Sequence, residues 1–207
     1  DNSLAAVGST GSLINLLINL FTGLSIGTNV VAANFFGAGK TKELQDTVHT
    51  SILVSVYSGI ILTVVGVIGS KYILILMQAP SDVLRLATLY LKIYFGGITA
   101  TMVYNFGSAL LRAKGDTKRP LYILFLAGVV NLILNLIFVI IFNMDVAGVA
   151  TATVISQTLA AVLVILILIH EKDDFHLNLK ELSINMTIFT RRVKIGLPAG
   201  FQGIMFS

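Results

Sequence analysis

The chain has 207 residues, of which 56% are hydrophobic and only 12% are charged, and its mean hydropathy is +0.91. Soluble domains carry about a quarter charged residues, so this composition excludes an ordinary soluble fold and predicts a protein embedded in a lipid bilayer. The net charge of +4 does not indicate a nucleic-acid partner, because the cations are divided among loops without accompanying aromatic residues. The lack of cysteine excludes disulfides and thiolate metal sites.

Five apolar stretches account for most of the sequence. Each is long enough for the roughly 20 residues that a transmembrane helix needs. A sixth apolar segment begins near residue 196. The sequence therefore predicts an all-α, polytopic bundle of transmembrane helices, with spans at 11–36, 51–75, 83–111, 121–142 and 149–169.

The positive charges indicate the orientation of these spans. Eleven of the 14 Lys and Arg residues lie in the first, third and fifth polar breaks, and cytoplasmic loops are enriched in these residues. We therefore expect loops 37–46, 112–120 and 171–195 to be cytoplasmic and the Asp1 end to be extracellular. The other three cations, Lys71, Arg85 and Lys92, lie around the second break.

Local signals refine two of these breaks. Gly115 suits the end of a helix, and Pro120 suits the first turn of the next one. Residues 186–195 are predicted to form a short interfacial helix whose cations face lipid phosphates. Those cations are Arg191, Arg192 and Lys194.

Polar side chains recur inside the apolar spans at helical spacing. Each could form an interhelical bond that stabilises the bundle, and for a single residue this is the favoured interpretation. Taken together, the stripes favour a hydrated, uncharged cavity that suits small organic substrates. The candidate cavity-lining residues are Asn15, Asn19, Thr22, Asn29, Tyr94, Thr101, Asn105, Asn131, Asn135 and Gln157, with Thr153 and Ser156 beside them.

Chemistry beyond binding is not indicated. No nucleophile is paired with a base, and the three histidines are expected at surface positions, so we predict no catalytic residue, no metal site, no cofactor and no enzyme activity. No acidic residue lies well inside a span, although cation-coupled carriers usually bury a carboxylate. If the protein is such a carrier, either its coupling ion, Na+ or H+, binds outside this segment, or its coupling is unusual.

Several motifs carry a resemblance to a known family. The run Leu-Arg-Ala-Lys-Gly-Asp-Thr-Lys-Arg-Pro at 111–120 resembles the cytoplasmic signature of multidrug and toxic compound extrusion (MATE) transporters. Its matching positions are Arg112, Gly115, Asp116 and Pro120. Four further family patterns follow the family's order, at 5–8, 131–135, 146–157 and 195–198.

The resemblance implies a twelve-helix antiporter of two six-helix lobes in the cell membrane, rocking between inward- and outward-open states. Residues 1–170 would be helices two to six of the N-terminal lobe, without its first helix. Residues 171–195 would be the cytoplasmic linker between lobes, and 196–207 the start of helix seven, the first helix of a missing C-terminal lobe. The implied function is export of amphiphilic, often cationic, organic compounds driven by Na+ or H+.

One departure and two alternatives remain. Many relatives have Asp-Pro where this chain has Asn135-Leu136, and an amide cannot exchange a proton. A lipid-linked precursor flippase of the same superfamily is one alternative, although it would favour a strongly cationic cavity. The other is a non-transporting membrane scaffold, in which the polar stripes would be satisfied between helices.

Overall fold

The structure is a computed structural model, and it describes residues 23–76 and 81–205. These residues contain seven helices. No strand occurs in these residues. The helices are α1 (described over 23–37), α2 (Thr41–Leu76), α3 (Ser81–Gly96), α4 (Ile98–Ala113), α5 (Lys118–Leu136), α6 (Asp145–His170) and α7 (Met186–Met205). A π-helical segment, Ile137–Ile141, continues α5.

The helices are those of a membrane protein. In the described residues, α2, α5 with its π-helical segment, and α6 are each long and apolar enough to cross a bilayer, and the bent pair α3–α4 can form a fourth span. Large apolar side chains remain exposed along α2 and α5, and contiguous apolar surface of this kind suits contact with lipid or with another transmembrane element. The prediction of an all-α membrane bundle is confirmed.

Two apolar cores hold the helices together. Helix α4 packs between α2 and α6, and α6 also packs against α3 and α5. One core, around Leu110, Val164 and Leu168, includes Phe175 and Leu177 from the segment after α6. The other core surrounds Phe95 and Met102 and joins α2, α3, α4 and α6. The segment after α6 is thus packed into the bundle and is not a free tail.

Helix α2 is longer than the predicted span. It begins at Thr41, not at residue 51, and its 36 residues extend about 54 Å at 1.5 Å per residue. Because the hydrocarbon core is only about 30 Å thick, such a helix reaches beyond it. An acidic residue in its first turn, Glu43, is favourable at a helix N-terminus. The additional turns bury Leu44 and Val48 in the first core.

The predicted span at 83–111 is not one continuous helix, because the chain bends by 46° between α3 and α4. The break lies at Gly97, whose N–H donates to the carbonyl of Tyr94, three residues back, at 3.1 Å. A Cβ atom at this position would lie 2.5 Å from Cγ2 of Val154 on α6. The glycine therefore permits the close approach of α6 that accompanies the bend.

The three cation-rich breaks meet at one end of the bundle, which we call the basic end. Lys114, after α4, pairs with Glu171 and Asp173, after α6. Thr41, at the start of α2, donates to the Asp174 carboxylate at 3.0 Å. The segments that follow α1, α4 and α6 thus lie at the same end of the bundle. This agrees with the alternation of charge along the sequence, which predicted that every second break lies on the same side of the membrane.

The predicted short helix at 186–195 differs in length and in burial. It is the first half of α7, which continues through Pro198 to Met205. Its Arg192 does not lie on the exposed surface of the helix: the residue is 3% exposed, and its guanidinium carbon lies 5.2 Å from the ring centroid of Phe106 on α4. Arg191 and Lys194 are exposed. The assignment of 171–195 to an inter-lobe linker stays a prediction.

Close helix packing at Gly66 leads to a testable expectation. A methyl group at Gly66 of α2 would overlap the buried ring of Phe95, whereas one at Gly69 would lie 3.4 Å from Ile73 Cδ1. Both Gly→Ala changes gain the same helix propensity, so their difference isolates packing. We expect Gly66→Ala to be less stable than Gly69→Ala by about 1–3 kcal/mol, measured as unfolding of the full-length protein in detergent. Equal stabilities would contradict the described α2–α3 contact.

Candidate functional site

A hydrogen-bonded polar cluster of mostly half-buried side chains joins α5 and α6. The amide of Asn131 on α5 lies 3.4 Å from Thr153 Oγ1 and 3.3 Å from Ser156 Oγ on α6. One turn further along α5, Asn135 donates to the Asn131 side-chain oxygen at 3.0 Å. The four-residue spacing of the two asparagines places them on one helix face. Their side chains therefore form a continuous polar strip along α5.

A cavity of about 280 Å³ lies beside this cluster. None of the seven described residues that line it is charged: Leu124, Ala127, Gly128, Asn131, Thr153, Ser156 and Gln157. Two buried acceptors of the same region, Asn135 Oδ1 and Gln157 Oε1, find no hydrogen-bond partner among the described residues. Because a buried polar atom without a partner costs free energy, these atoms are suited to receive a donor from water or from a ligand.

The helix changes geometry directly after the polar strip. Asn135 is followed by Leu136, the last α-helical residue of α5, and by the π-helical turn Ile137–Ile141. π-Helical turns are rare in proteins overall, and those that occur are often found at functional sites. Nothing in the apolar run Ile-Phe-Val-Ile-Ile predicted it, although its β-branched residues have low helix propensity.

Other predicted lining residues have different surroundings. Asn29 donates to the Ala109 carbonyl on α4 at 2.9 Å, which is an interhelical bond of the kind that stabilises a bundle. Tyr94 stacks on Tyr90 with ring centroids 6.2 Å apart, and Thr101 and Asn105 are half-buried on α4. None of these four belongs to the α5–α6 cluster. The remaining candidates, Asn15, Asn19 and Thr22, lie outside the described residues.

The signature loop at 112–120 closes one helix and begins the next. Gly115 has a φ of +92°, a left-handed conformation that favours glycine. Its N–H donates to the Arg112 carbonyl at 2.9 Å, and the Asp116 N–H donates to the Leu111 carbonyl at 3.0 Å. This is a Schellman motif, so the predicted helix stop is confirmed.

Asp116 and Pro120 fix the start of α5. The Asp116 carboxylate accepts the backbone N–H groups of Lys118 and Arg119 at 3.2 and 3.1 Å, which satisfies two donors at the helix N-terminus. Pro120 lies in the first turn, as predicted, and its carbonyl accepts a hydrogen bond from Tyr104 of α4 at 3.0 Å. The Arg112 side chain is exposed.

An ion-pair network extends from this loop to the segment after α6. Glu171 pairs with both Lys114 and Arg119, and Asp173 pairs with Lys114. Glu171 is 7% exposed, so it is the most buried member. The sequence analysis missed Glu171 and Asp173, and the only available signal was their acidic character beside two cation-rich loops.

The network shifts the pKa values of its members. Burial alone would raise the pKa of Asp173, but hydrogen bonds from Lys114 and from a backbone N–H outweigh it and hold the pKa below the usual value. Burial would likewise raise the pKa of Asp116, and hydrogen bonds from Arg119 reverse the shift. For Lys114, burial is outweighed by bonds to Asp173 and Glu171, so its pKa is raised. All three shifts favour the charged forms.

The expectation that each histidine lies at the surface is wrong for His49. It is 6% exposed, and its Nε2 accepts the backbone N–H of Asn178 at 3.2 Å. The additional N-terminal turns of α2 explain the burial, because the segment 174–185 packs on them. His49 is thus a structural residue that ties this segment to α2.

Comparisons with known proteins indicate a transporter family. The MatE family model matches residues 1–137. The chain is 28% identical to "Probable multidrug resistance protein YoeA" of Bacillus subtilis, covering all of this chain and 46% of that protein. It is 24% identical to "Probable multidrug resistance protein NorM" of Thermotoga maritima, covering 99% of this chain and 45% of that protein. The chain therefore spans about half the length of the curated relatives it matches.

Solved structures give the same result. The chain is similar to an inward-facing multidrug resistance MATE family transporter of the MOP superfamily, with a TM-score of 0.91, 25% identity, and coverage of 98% of this chain and 46% of that one. An outward-facing structure of a MATE family transporter matches with a TM-score of 0.89 and 25% identity, over 97% of this chain and 45% of that one. The described fold is thus similar to nearly half of a transporter in either state.

The shifted pKa values predict an acid-sensitive basic end. Asp116 and Asp173 have folded pKa values below their unfolded values, so their stabilisation is present above about pH 4 and is lost as pH falls through the folded pKa. Lys114 has a raised pKa, so its contribution is lost only as pH rises above about 10.4. We expect the thermal midpoint of the full-length protein in detergent to fall between pH 5 and pH 3.

A matched pair of variants tests the origin of this acid sensitivity. Asp173→Asn should weaken the pH dependence, because it removes one of the shifted carboxylates. Glu43→Gln removes the exposed 3.9 Å pair with Lys40 and a charge in the first turn of α2, but leaves the Lys114 network intact, so it serves as the control. If Asp173→Asn retained the full wild-type acid dependence, the network at the basic end would not be its source.

Proposed function

The chain belongs to the MatE family, and from this premise we propose that it forms most of one lobe of a multidrug exporter that moves amphiphilic, often cationic, organic compounds across the cell membrane. Family members are transporters and not enzymes. Several of the matched relatives are named as multidrug resistance or multidrug export proteins. Because the chain spans 46% of the length of such a relative, the second lobe is a required partner of the complete protein.

The observation that carries the proposal is the uncharged cavity beside two unpaired acceptors. Asn135 Oδ1 and Gln157 Oε1 are buried without partners among the described residues, in a helix pair whose outer surface is apolar. A lining of amide and hydroxyl groups can bind varied organic molecules, since such sites are mostly apolar with a few placed polar groups. Oxygen acceptors are complementary to the N–H donors of organic cations.

The same cavity argues against the flippase alternative. A pyrophosphate-bearing lipid precursor needs cations that approach its phosphates, and the described residues that line the α5–α6 cavity include none. The scaffold alternative requires that the polar stripes be satisfied between helices. That condition holds for Asn29 and fails at Asn135 and Gln157.

We place the energy coupling outside this segment. In the described spans, acidic residues lie at helix ends, and Asn135 is an amide that cannot exchange a proton. A Na+ or H+ gradient would then act through a carboxylate elsewhere in the complete transporter. Rocking of whole lobes fits the nearly equal TM-scores to inward-facing and outward-facing structures, 0.91 and 0.89, because a rigid lobe resembles itself in both states.

Efflux measurements test the site. In the full-length transporter, Asn131→Leu, Asn135→Leu and Gln157→Leu combined should lower efflux of a lipophilic cationic dye by about tenfold or more, which corresponds to about 1.4 kcal/mol of lost binding. Thr158→Leu is the matched control, because Thr158 is exposed next to Gln157 and its hydroxyl is bonded to the Val154 carbonyl of its own helix. Unchanged efflux in a folded triple variant would support the scaffold alternative.

Orientation is tested by labelling. We propose that the basic end faces the cytoplasm, because positive residues are retained on that side. In a cysteine-free full-length transporter, an impermeant maleimide should react in intact cells with Met144→Cys, an exposed position at the opposite end. Lys118→Cys, which is exposed at the basic end, should react only after permeabilisation. The reverse pattern would invert the proposed topology.

A further inference from the structure

Arg192 is a buried cation without a described counter-charge. It is 3% exposed, and its Nε and Nη1 atoms find no hydrogen-bond partner among the described residues. The 5.2 Å approach to the Phe106 ring offers a cation–π contact, but such a contact supplies only about 1–2 kcal/mol. Burial of an ion costs several kcal/mol even after relaxation, so the guanidinium requires an anion.

The part of the chain that the structure describes places no carboxylate beside Arg192. Of its ten acidic residues, Asp116, Glu171 and Asp173 are engaged at the basic end. Glu43, Asp46 and Asp174 contact Lys40, Asn185 and Thr41 respectively. Glu181 is exposed, and Asp145 begins α6 at the other end of the bundle. Asp82 is at the start of α3, and Asp1 lies outside the described residues. Among the residues that the structure describes, Arg192 is thus left without a counter-charge, and an anion from another molecule could supply it.

A cavity of about 150 Å³ lies against Arg192. A water molecule occupies about 30 Å³ in the liquid, so the cavity has room for a small anionic group. Its other lining residues come from α1, α2, α4 and α7: Leu24, Val54, Ser58, Phe106, Phe189 and Val193. Apart from Ser58, whose hydroxyl is bonded to the Val54 carbonyl at 2.6 Å, these side chains are apolar, and Arg192 is the only described cation in the cavity wall.

The cavity adjoins a second, larger space on the outside of the bundle. This groove of about 380 Å³ shares Val54, Ser58 and Phe189 with the Arg192 cavity. Its remaining walls are Tyr57, Ile61, Ile184 and Met186. Tyr57, Ile61 and Met186 are 55%, 62% and 70% exposed, so the groove opens sideways from α2 and α7. A hydrocarbon chain fits such an apolar surface, whereas an acidic side chain gains nothing from it.

We propose that the cleft formed by the groove and the cavity binds an anionic phospholipid, with an acyl chain in the groove and the phosphate against Arg192. Arginine binds phosphate through parallel N–H donors in a geometry that lysine cannot reproduce. The adjoining exposed cations, Arg191 and Lys194, increase the local attraction for an anionic headgroup near the membrane surface. The site is separate from the α5–α6 cavity, so it goes beyond the proposed efflux function and does not depend on it.

Lipid binding to the full-length transporter tests the site without measuring transport. The purified protein in dodecyl maltoside is mixed with dioleoyl phosphatidylglycerol or with dioleoyl phosphatidylcholine, which has the same acyl chains but no net charge. Native mass spectrometry then gives the bound fraction of each lipid. We expect the anionic lipid to bind about tenfold or more tightly than the neutral one, a ratio that a charge-assisted hydrogen bond accounts for.

Three variants locate the preference. Arg192→Gln should remove most of it, whereas Arg191→Gln, which deletes the neighbouring exposed charge, should change it less than about twofold, as expected for a screened surface charge. Ser58→Leu should weaken binding of the anionic lipid although Arg192 remains, because it fills the junction of cavity and groove. Arg192→Lys retains the charge without the fork and should retain an intermediate preference, which gives a measurement even if Arg192→Gln does not fold.

Several results would overturn the proposal. An unchanged lipid preference in Arg192→Gln or in Ser58→Leu would exclude the cleft as the lipid-binding site. A loss of preference in Arg191→Gln equal to that in Arg192→Gln would show that the preference arises from general surface charge. A wild-type protein without preference for the anionic lipid, together with a loss of thermal stability in Arg192→Gln that is the same with and without lipid, would show that an acidic side chain from the rest of the transporter neutralises Arg192.

Discussion

The hydrocarbon core of a membrane offers no water to a polar side chain, so every buried donor and acceptor has to find its partner inside the protein. Most polar groups in this bundle obey that constraint locally. Hydroxyls of Thr88, Thr151 and Thr158 bond to carbonyls of their own helices, and Asn29 bonds across to α4. The buried groups without a described partner include Ser108 of α4, two acceptors at the α5–α6 cavity and the Arg192 guanidinium. Both proposals arise from the last two places, where a cavity adjoins the unpaired atoms.

At the basic end this constraint does not apply, because water is available there to solvate polar side chains. Charged residues can therefore form ion pairs at a low desolvation cost. The signature loop uses Gly115 and Asp116 to turn the chain, and Lys114 and Arg119 attach it to Glu171 and Asp173. His49 and Thr50 of α2 attach the following segment through backbone bonds. The path from α6 to α7 is therefore fixed at several points, and the position of α7 is coupled to the loop between α4 and α5.

Sequence reasoning predicted the features that depend on local composition. Apolar length predicted the spans, and Gly115 and Pro120 predicted the turn between α4 and α5. Charge alternation correctly grouped three loops at one end. The features that it missed depend on contacts between distant segments. The early start of α2 is stabilised by the segment after α6, and the close approach of α6 at Gly97 involves Val154, 57 positions later.

The candidate site was less predictable from the sequence than the fold, because it too depends on contacts between distant segments. Helical spacing alone paired Asn131 with Asn135, but it could not distinguish Asn29, whose amide is satisfied by the Ala109 carbonyl, from Gln157, whose oxygen has no described partner. Likewise, three neighbouring cations in one sequence segment predicted a single environment. Because successive residues of a helix point in different directions, Arg192 is buried while Arg191 lies over the Phe35 ring at the surface.

The contact between α1 and α7 bears on how such a lobe could move. A Cβ atom on Gly27 would lie 2.5 Å from the Arg192 carbonyl oxygen, and one on Gly196 would lie 2.8 Å from Leu24 Cα. The two backbones therefore approach directly where these glycines meet, and a side chain added at either position would push the helices apart. In the proposed transporter α7 would lead into the second lobe, so this crossing would be a contact between lobes. Its spacing is set by backbone atoms, and the Arg192 cleft opens immediately beside it.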